Sequence, residues 1–357
     1  MDWPAHAMTA ARLGRRGLRA PATAIRRAIV LLAMYSRVIA SLRHRRASFI
    51  RARHTGAQPL AGSARVAVFV HYDPAGHVHD YVLYYLRALS EAGCAVVVVS
   101  NAPQLDAIAV QRLLPLSALV LHRRNVGYDF GAYKDGLAAL GDLTRFELVV
   151  LANDSVYGPL FDLAPLLARC DRRADIWGIT DSPARRYHLQ SYFLALGPRA
   201  LASPDLAAFW RSVSPVQSRE WVIRKYELGL TQAAQRAGLR CAALFDYAQL
   251  AAAAPDATAT PRRALNPMLA FWDHLITRRH CPFIKRELLM YNPLRLPQVG
   301  SWKEVIRRVS PYNTDLIERH MLDCRSLLHH GVDAAAPNHG SSTHGASNRA
   351  AIATRGR

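Results

Sequence analysis

At 357 residues, with 51% hydrophobic and 20% charged residues, the chain can bury a sizeable core, which excludes a peptide, a coiled coil and a globally disordered protein. The net charge of +20 is unevenly spread: residues 1–60 hold twelve arginines, no lysine and one acid, Asp2, so +11 of it lies there. The five cysteines (Cys94, Cys170, Cys241, Cys281, Cys324) never form a CxxC pair, which excludes a disulfide scaffold and a zinc knuckle and suits a reducing cytosol.

Residues 1–60 form a basic N-terminal extension in composition. Ile29–Ala33 is apolar, but Arg26 and Arg27 precede it and Arg37 follows, so neither a spanning helix of about 20 apolar residues nor a cleavable leader fits. A basic helix lying on an anionic membrane surface fits better, the alternative being a poorly ordered arginine-rich segment. That places the protein in the cytoplasm, with peripheral contact at the inner face of the plasma membrane.

From residue 61 to 254 the pattern becomes regular. Arg65–Val70 is a β-rich run, Val78–Glu91 is helical, and Gly93 stops the helix. Ala95–Val99 (AVVVV) is continuously apolar, as expected of a strand covered on both faces of a parallel sheet. A helix over Asp106–Leu114, a strand over Ala118–Leu121, a helix over Tyr133–Leu140 and a strand over Glu147–Leu151 follow. Apolar runs at Asp175–Thr180, Leu189–Leu196 and Leu239–Leu244 then alternate with helices at Asp205–Val213 and Trp221–Ala237. The expectation is an α/β domain with a mainly parallel sheet flanked by helices, whose ligands gather at the carboxyl ends of its strands. Residues 255–330 read as a mostly helical extension carrying a cis-capable Cys281-Pro282, and 331–357 as a disordered tail.

The chemistry concentrates in two stretches. RRNVGYDFGAYKDGL puts two arginines, Asn125 and Gly127 in a turn after a strand, with Gly131 free to admit a ligand or another backbone. ELVVLANDSVYGPL runs a hydrophobic strand directly into Asn153-Asp154-Ser155, so a carboxylate stands at the ligand edge of the sheet. One carboxylate together with substrate phosphates is a usual way to hold Mg²⁺. His71 and Asp73, at the tip of the first strand, are candidates for contact with a nucleobase. The H-x5-H-x-H pattern of His71, His77 and His79, next to Asp80, lacks the usual zinc spacing and a clear fourth ligand. No Walker A loop, G-x-G-x-x-G, H-E-x-x-H or G-x-S-x-G occurs.

NVGYDFGAYKDGL, LANDSVYGP, HLQSYFLAL and NPMLAFWDHLITRRHCPFIKRELL, in that order across about residues 65–320, resemble the rhamnan synthesis protein F family. More broadly, the run of strand, N-x-G, helix, strand and acidic tip resembles GT-A-type glycosyltransferases. The resemblance implies a GT-A-like fold and a donor-binding set of Arg124, Asn125, Gly127, Asp129, Asn153, Ser155 and His188, with Gln190 beside it. It implies Mg²⁺ or Mn²⁺ on Asp154, although Asn153 stands where a DXD tip has its first acid. It also implies an acidic base on the helix before Gly238, for which Glu227 in YELGLT is the candidate and Asp181 and Asp246 are the reserves. Lys285 and Arg286 become candidates for the donor diphosphate, while Phe271 and Trp272 read as core.

The function implied is inverting transfer of a deoxysugar, L-rhamnose from its dTDP form, to a cell-surface polysaccharide, an O-antigen or a lipid-linked glycan. A non-catalytic scaffold of a polysaccharide assembly complex is the rival. A basic nucleic-acid-binding protein is the weaker rival, because over half the excess charge lies in the N-terminal segment rather than on a folded face.

Overall fold

The structure, a computed structural model, describes residue 29 and residues 32–41, 48–168, 174–253 and 266–329. The tail 331–357 and most of the basic extension lie outside the described residues. The strands of the main sheet are β1 (Ile50–Thr55), β2 (Arg65–His71), β3 (Ala95–Ser100), β4 (Leu119–Arg123), β5 (Leu148–Asn153), β7 (Ile176–Ser182), β8 (His188–Leu189), β9 (Phe193–Leu196) and β10 (Cys241–Phe245). Their order is β1-β4-β3-β2-β5-β9-β7-β10, with β8 on β7. Two short strands, β6 (Val156–Tyr157) and β11 (Ile284–Lys285), pair separately.

The β4-β3-β2-β5 run is parallel, as is β7 with β10, while β1 and β9 run against their neighbours. The mainly parallel α/β expectation therefore holds, with three antiparallel strands, β1, β8 and β9. One of them, β1, lies inside the segment assigned by composition to the basic extension: the alternating IRARHT pattern suits a half-exposed edge strand. Val66, Val68 and Val70 of β2 pack on one face of the sheet and Ala67 and Phe69 on the other. Both faces are covered, which is why the strands read as unbroken apolar runs.

Local chemistry fixes the element ends. The helix Asp80–Glu91 buries Tyr81, Val82, Tyr85, Leu86 and Leu89, one stripe at helical spacing. It stops where Gly93 takes φ +85° and Cys94 N–H reaches back to the Leu89 carbonyl. The helix expected at Tyr133–Leu140 begins earlier, at Tyr128, directly after Gly127 at φ +78°. The expected strand Leu189–Leu196 is broken into β8 and β9, and the residues between them turn toward the site.

Residues 266–317 are not a separate unit. Met268, Phe271, Trp272, Phe283 and Ile306 belong to the same buried cluster as Tyr81, Tyr85 and Phe69. The pairing of β11 with β6 joins this helical segment to the tip of β5. The cis peptide stands at Gly158–Pro159 rather than at Cys281–Pro282.

Candidate functional site

At the carboxyl edge of β5 the chain forms a cleft of about 530 Å³, part of it open to solvent. Four elements bring polar groups to it. Asp129 comes from the first turn of the helix Tyr128–Leu140, and Asn153 and Ser155 come from the tip of β5. Gln190 and Ser191 come from the β8–β9 break, and Lys285 from β11. A further wall is a helix that starts at Arg219 and passes through a π-helical turn, Ile223–Glu227, before continuing as Leu228–Arg236. Such a turn inserts a residue into the helix and is frequent at functional sites. Here it ends on Glu227, whose side chain lines the cleft.

The electrostatics of the cleft are those of two carboxylates and one buried cation. Glu227 is 8% exposed and accepts a hydrogen bond from Ser191 Oγ at 3.1 Å. Asp129 accepts one from Asn153 Nδ2 at 3.0 Å. Burial pushes the Asp129 carboxyl up to about 7, and Asp154 and Glu227 push the same way against Lys285 and the Asn153 amide. Asp129 therefore holds its proton to a much higher pH than an ordinary carboxyl. Lys285 is 2% exposed, lies over the Tyr192 ring and is lowered from the ordinary lysine range, chiefly by burial.

Asn153 has both ends of its amide in use, since its Oδ1 accepts from Ser155 N at 3.1 Å. A carboxylate at this position would face Asp129, so the asparagine in place of a first DXD acid has a local electrostatic reason.

Asp154 is among the sequence candidates but does not line this cleft. Its Oδ2 accepts from Tyr72 N at 3.0 Å and stands 3.5 Å from Arg286 Nη1, part of a buried guanidinium that also donates to the Asp154 carbonyl and to Tyr81 Oη, both at 2.8 Å. Burial alone would lower Arg286, but Tyr81, Asp154 and Tyr157 hold it above its ordinary value. The countercharge that a divalent ion would bring is thus supplied by a side chain. With Asn153 committed to Asp129 and Ser155, the residues at this tip do not fit Mg²⁺ or Mn²⁺ as expected from the sequence.

Other candidates take structural positions. His71 is fully buried and bonded to Ser100 Oγ at 3.0 Å and the His77 carbonyl at 3.1 Å, and burial lowers its pKa. Asp73 ties its own loop, accepting from Ala75 N and His77 N at 2.9 Å. Of the arginine pair, Arg124 is exposed, whereas Arg123 is 1% exposed and bonds Asp135, Asn101 and the Val126 carbonyl. What approaches Gly131 is not a ligand: a Cβ there would stand 2.5 Å from the Val126 carbonyl oxygen and 3.1 Å from Arg123 Nη2.

Asn125, Gly127 and His188 lie outside the cleft lining, and His188 Nδ1 is bonded to the Arg186 carbonyl. Asp181, pushed up to about 6 chiefly by burial, neighbours Asp246 at the ends of β7 and β10, also away from the cleft. Ser191, Tyr192 and Arg219 were missed by sequence reasoning. An apolar run with polar Gln190-Ser191 inside it was the signal that the strand breaks there.

A family model described as rhamnan synthesis protein F matches residues 96–339. An uncharacterised protein, y4gN, of Sinorhizobium fredii is 33% identical over 196 residues, 53% of this chain and 50% of that one. The virulence protein VirA of Vibrio anguillarum is 28% identical over 215 residues, 54% of this chain and 69% of that one. The chain thus spans half the length of the first relative.

Among solved structures, the bifunctional glycosyltransferase WbbM aligns with a TM-score of 0.35 at 12% identity, covering 74% of this chain and 53% of that one. The mannosyltransferase PcManGT from Pyrobaculum calidifontis, in complex with GDP-Man and Mn²⁺, aligns with a TM-score of 0.32 at 12% identity, covering 84% and 90%. At those scores neither likeness bears on the chemistry of this chain.

Proposed function

We propose glycosyl transfer from a nucleotide-diphosphate sugar for this chain, which belongs to the rhamnan synthesis protein F family. The donor we favour is dTDP-L-rhamnose, and the acceptor is a hydroxyl of a polysaccharide or lipid-linked glycan. The observation that carries the reading is the joint placement of Glu227, Asp129 and Lys285 in one cleft at the carboxyl edge of the sheet.

In this reading the acceptor oxygen attacks the anomeric carbon and Glu227 takes its proton. The bond from that carbon to the phosphate oxygen breaks, and its electron pair leaves with the diphosphate. Inversion follows from attack opposite the leaving group. Lys285 and Arg219 oppose the negative charge that develops on the leaving group. The raised affinity of Asp129 for its proton lets that carboxyl donate to a phosphate oxygen instead of repelling it. No step is routed through a metal at Asp154, since Arg286 already balances that carboxylate.

The test is Glu227→Gln, which keeps shape and hydrogen bonding but cannot take the proton. Transfer should fall by about 10²-fold or more, the range for a lost general base, with donor affinity nearly unchanged. Near-normal transfer by this variant would remove Glu227 from the role. A scaffold that binds donor without turning it over is the second reading, favoured by the neutralised Asp154. It expects saturable donor binding and no product from the unmodified chain.

The same proposal places the protein against an anionic membrane through its N-terminal segment, and involves no nucleic acid. The helix over residues 32–41 leaves Leu32 70% and Ile39 65% exposed, in a segment carrying twelve arginines. Among the described residues no helix is long and apolar enough to cross a membrane. Intact protein should bind phosphatidylserine-containing vesicles in a salt-sensitive way, and a chain lacking residues 1–47 should not; equal binding by both would end this part.

A further inference from the structure

We propose that Asp73, His79 and His320 form a binding site for one borderline divalent transition ion, zinc being the type, outside the cleft described above. Asp73 and His79 lie in the loop after β2, and His320 lies on the helix Asp315–His329. The fold brings them together with one ligand atom from each within 4.8 Å of the others. The Asp73 Oδ2 to His79 Nε2 distance of 3.2 Å is already near the separation of two ligands that each stand about 2.0–2.2 Å from a tetrahedral ion. Only His320 has to move inward.

The outer nitrogens of both rings are engaged. His79 Nδ1 faces Asp323 Oδ2 at 3.5 Å, and His320 Nδ1 stands 2.7 Å from Tyr157 Oη. A carboxylate or hydroxyl behind a histidine is the usual way to fix its tautomer and turn the other nitrogen toward a metal. Asp323 is 57% exposed and His79 10%, so the site lies just beneath the surface. Two imidazoles and one carboxylate suit zinc or cobalt, not magnesium, which prefers oxygen ligands. Cys324 Sγ, 3.4 Å from His320 Nε2, is a soft donor at the margin of the site.

One group opposes the ion. Arg286 Nη2 lies 3.4 Å from the same His320 nitrogen and would have to give up that contact. Its other amino group would keep the guanidinium on Tyr81 Oη and the Asp154 carbonyl. A bound ion would strap the C-terminal helix to the loop after β2.

The test uses tag-free full-length protein, stripped with EDTA and dialysed, then titrated calorimetrically with ZnCl₂ and optically with CoCl₂. One equivalent should bind, with the visible absorption of four- or five-coordinate cobalt and a rise of several degrees in the melting temperature. Outer partners of metal ligands are typically worth about 10–100-fold in affinity, so Asp323→Asn should weaken binding by about tenfold and His79→Gln by about a hundredfold or more. Glu227→Gln, in the separate cleft, should bind as the unmodified protein does.

His79 is mostly covered but not at the centre of the core; circular dichroism would check that the variant folds, and Asp73→Asn gives a second ligand deletion. Absence of stoichiometric binding overturns the proposal. So does unchanged affinity in His79→Gln and Asp73→Asn, which would put the ion on others of the fifteen histidines. The readout is binding alone, so it stands or falls independently of sugar transfer.

Discussion

Replacing Asp129 with asparagine should make the protein more stable at alkaline pH, which is the reverse of what losing a polar contact normally does. In the folded chain this carboxyl is raised from 3.8 to about 7, so the folded state holds its proton more tightly than the unfolded one. The stability belonging to that proton is complete below the ordinary carboxylate pKa and is lost as pH rises through 7. About three units at 1.36 kcal/mol each would set a ceiling of about 4 kcal/mol. Asp129 is partly exposed to the cleft, and it sits in the first turn of a helix whose dipole favours the anion by about 0.3–1 kcal/mol. We therefore take about 2 kcal/mol.

The amide introduced by Asp129→Asn would still accept from Asn153 while carrying no charge, so the variant should lack this slope. Denaturant midpoints measured at pH 4.5 and 8 should converge at the lower pH and favour the variant by about 2 kcal/mol at the higher one. That is about 3 °C in melting temperature for a chain of this length. Parallel pH profiles for the two proteins would refute the assignment of a proton to Asp129. The same linkage makes binding of a diphosphate donor take up a proton above pH 7, visible as a buffer-dependent heat in calorimetry.

Two further expectations use other parts of the site. Asn153→Asp sets a carboxylate against Asp129 where an amide now donates at 3.0 Å, so it should destabilise the fold above pH 7 and not below pH 4, as read by the same melts. Asp135→Ala leaves the buried Arg123 guanidinium without its ion partner at 2.7 Å and should cost about 3 kcal/mol. Asp135→Asn, which keeps an acceptor, should cost clearly less, and equal losses would mean the charge is immaterial.

The strands were legible because burial on both faces writes itself as a run such as AVVVV, and the end of the helix before Gly93 because that glycine takes a backbone angle other residues avoid, whereas the start after Gly127 was read five residues late. β1 was not legible, since an edge strand with arginines on its open side looks like any basic segment. For the site, Asp129, Asn153, Ser155 and Glu227, which the family resemblance implied, lie together in the cleft. Arg124, His71 and His188 carried the right chemistry by type, but direction decides use: Arg123 turns into the core while its neighbour turns out. The roles of Lys285 and Arg286 depend on β11 pairing with β6, a contact between Ile284 and Tyr157 that no local pattern encodes. The metal-ligand geometry was hidden for a related reason, as His320 joins Asp73 and His79 only through tertiary packing.

That pairing also sets an order of assembly. A chain emerging from the ribosome completes β10 with Phe245, and with it the main sheet, well before Lys285 exists. Through that interval Asp129 and Glu227 are present without the buried cation that shares their cleft. Domains tend to fold as their residues appear. A cleft formed before that point would lack the Lys285 charge, and Asp154 would lack its guanidinium. Arrival of Ile284-Lys285-Arg286 closes the short β6–β11 sheet and delivers both positive charges in one step. Residues 284–286 are thus an electrostatic keystone, and a chain cut off before them would lose both charges together with part of the buried cluster that covers the sheet.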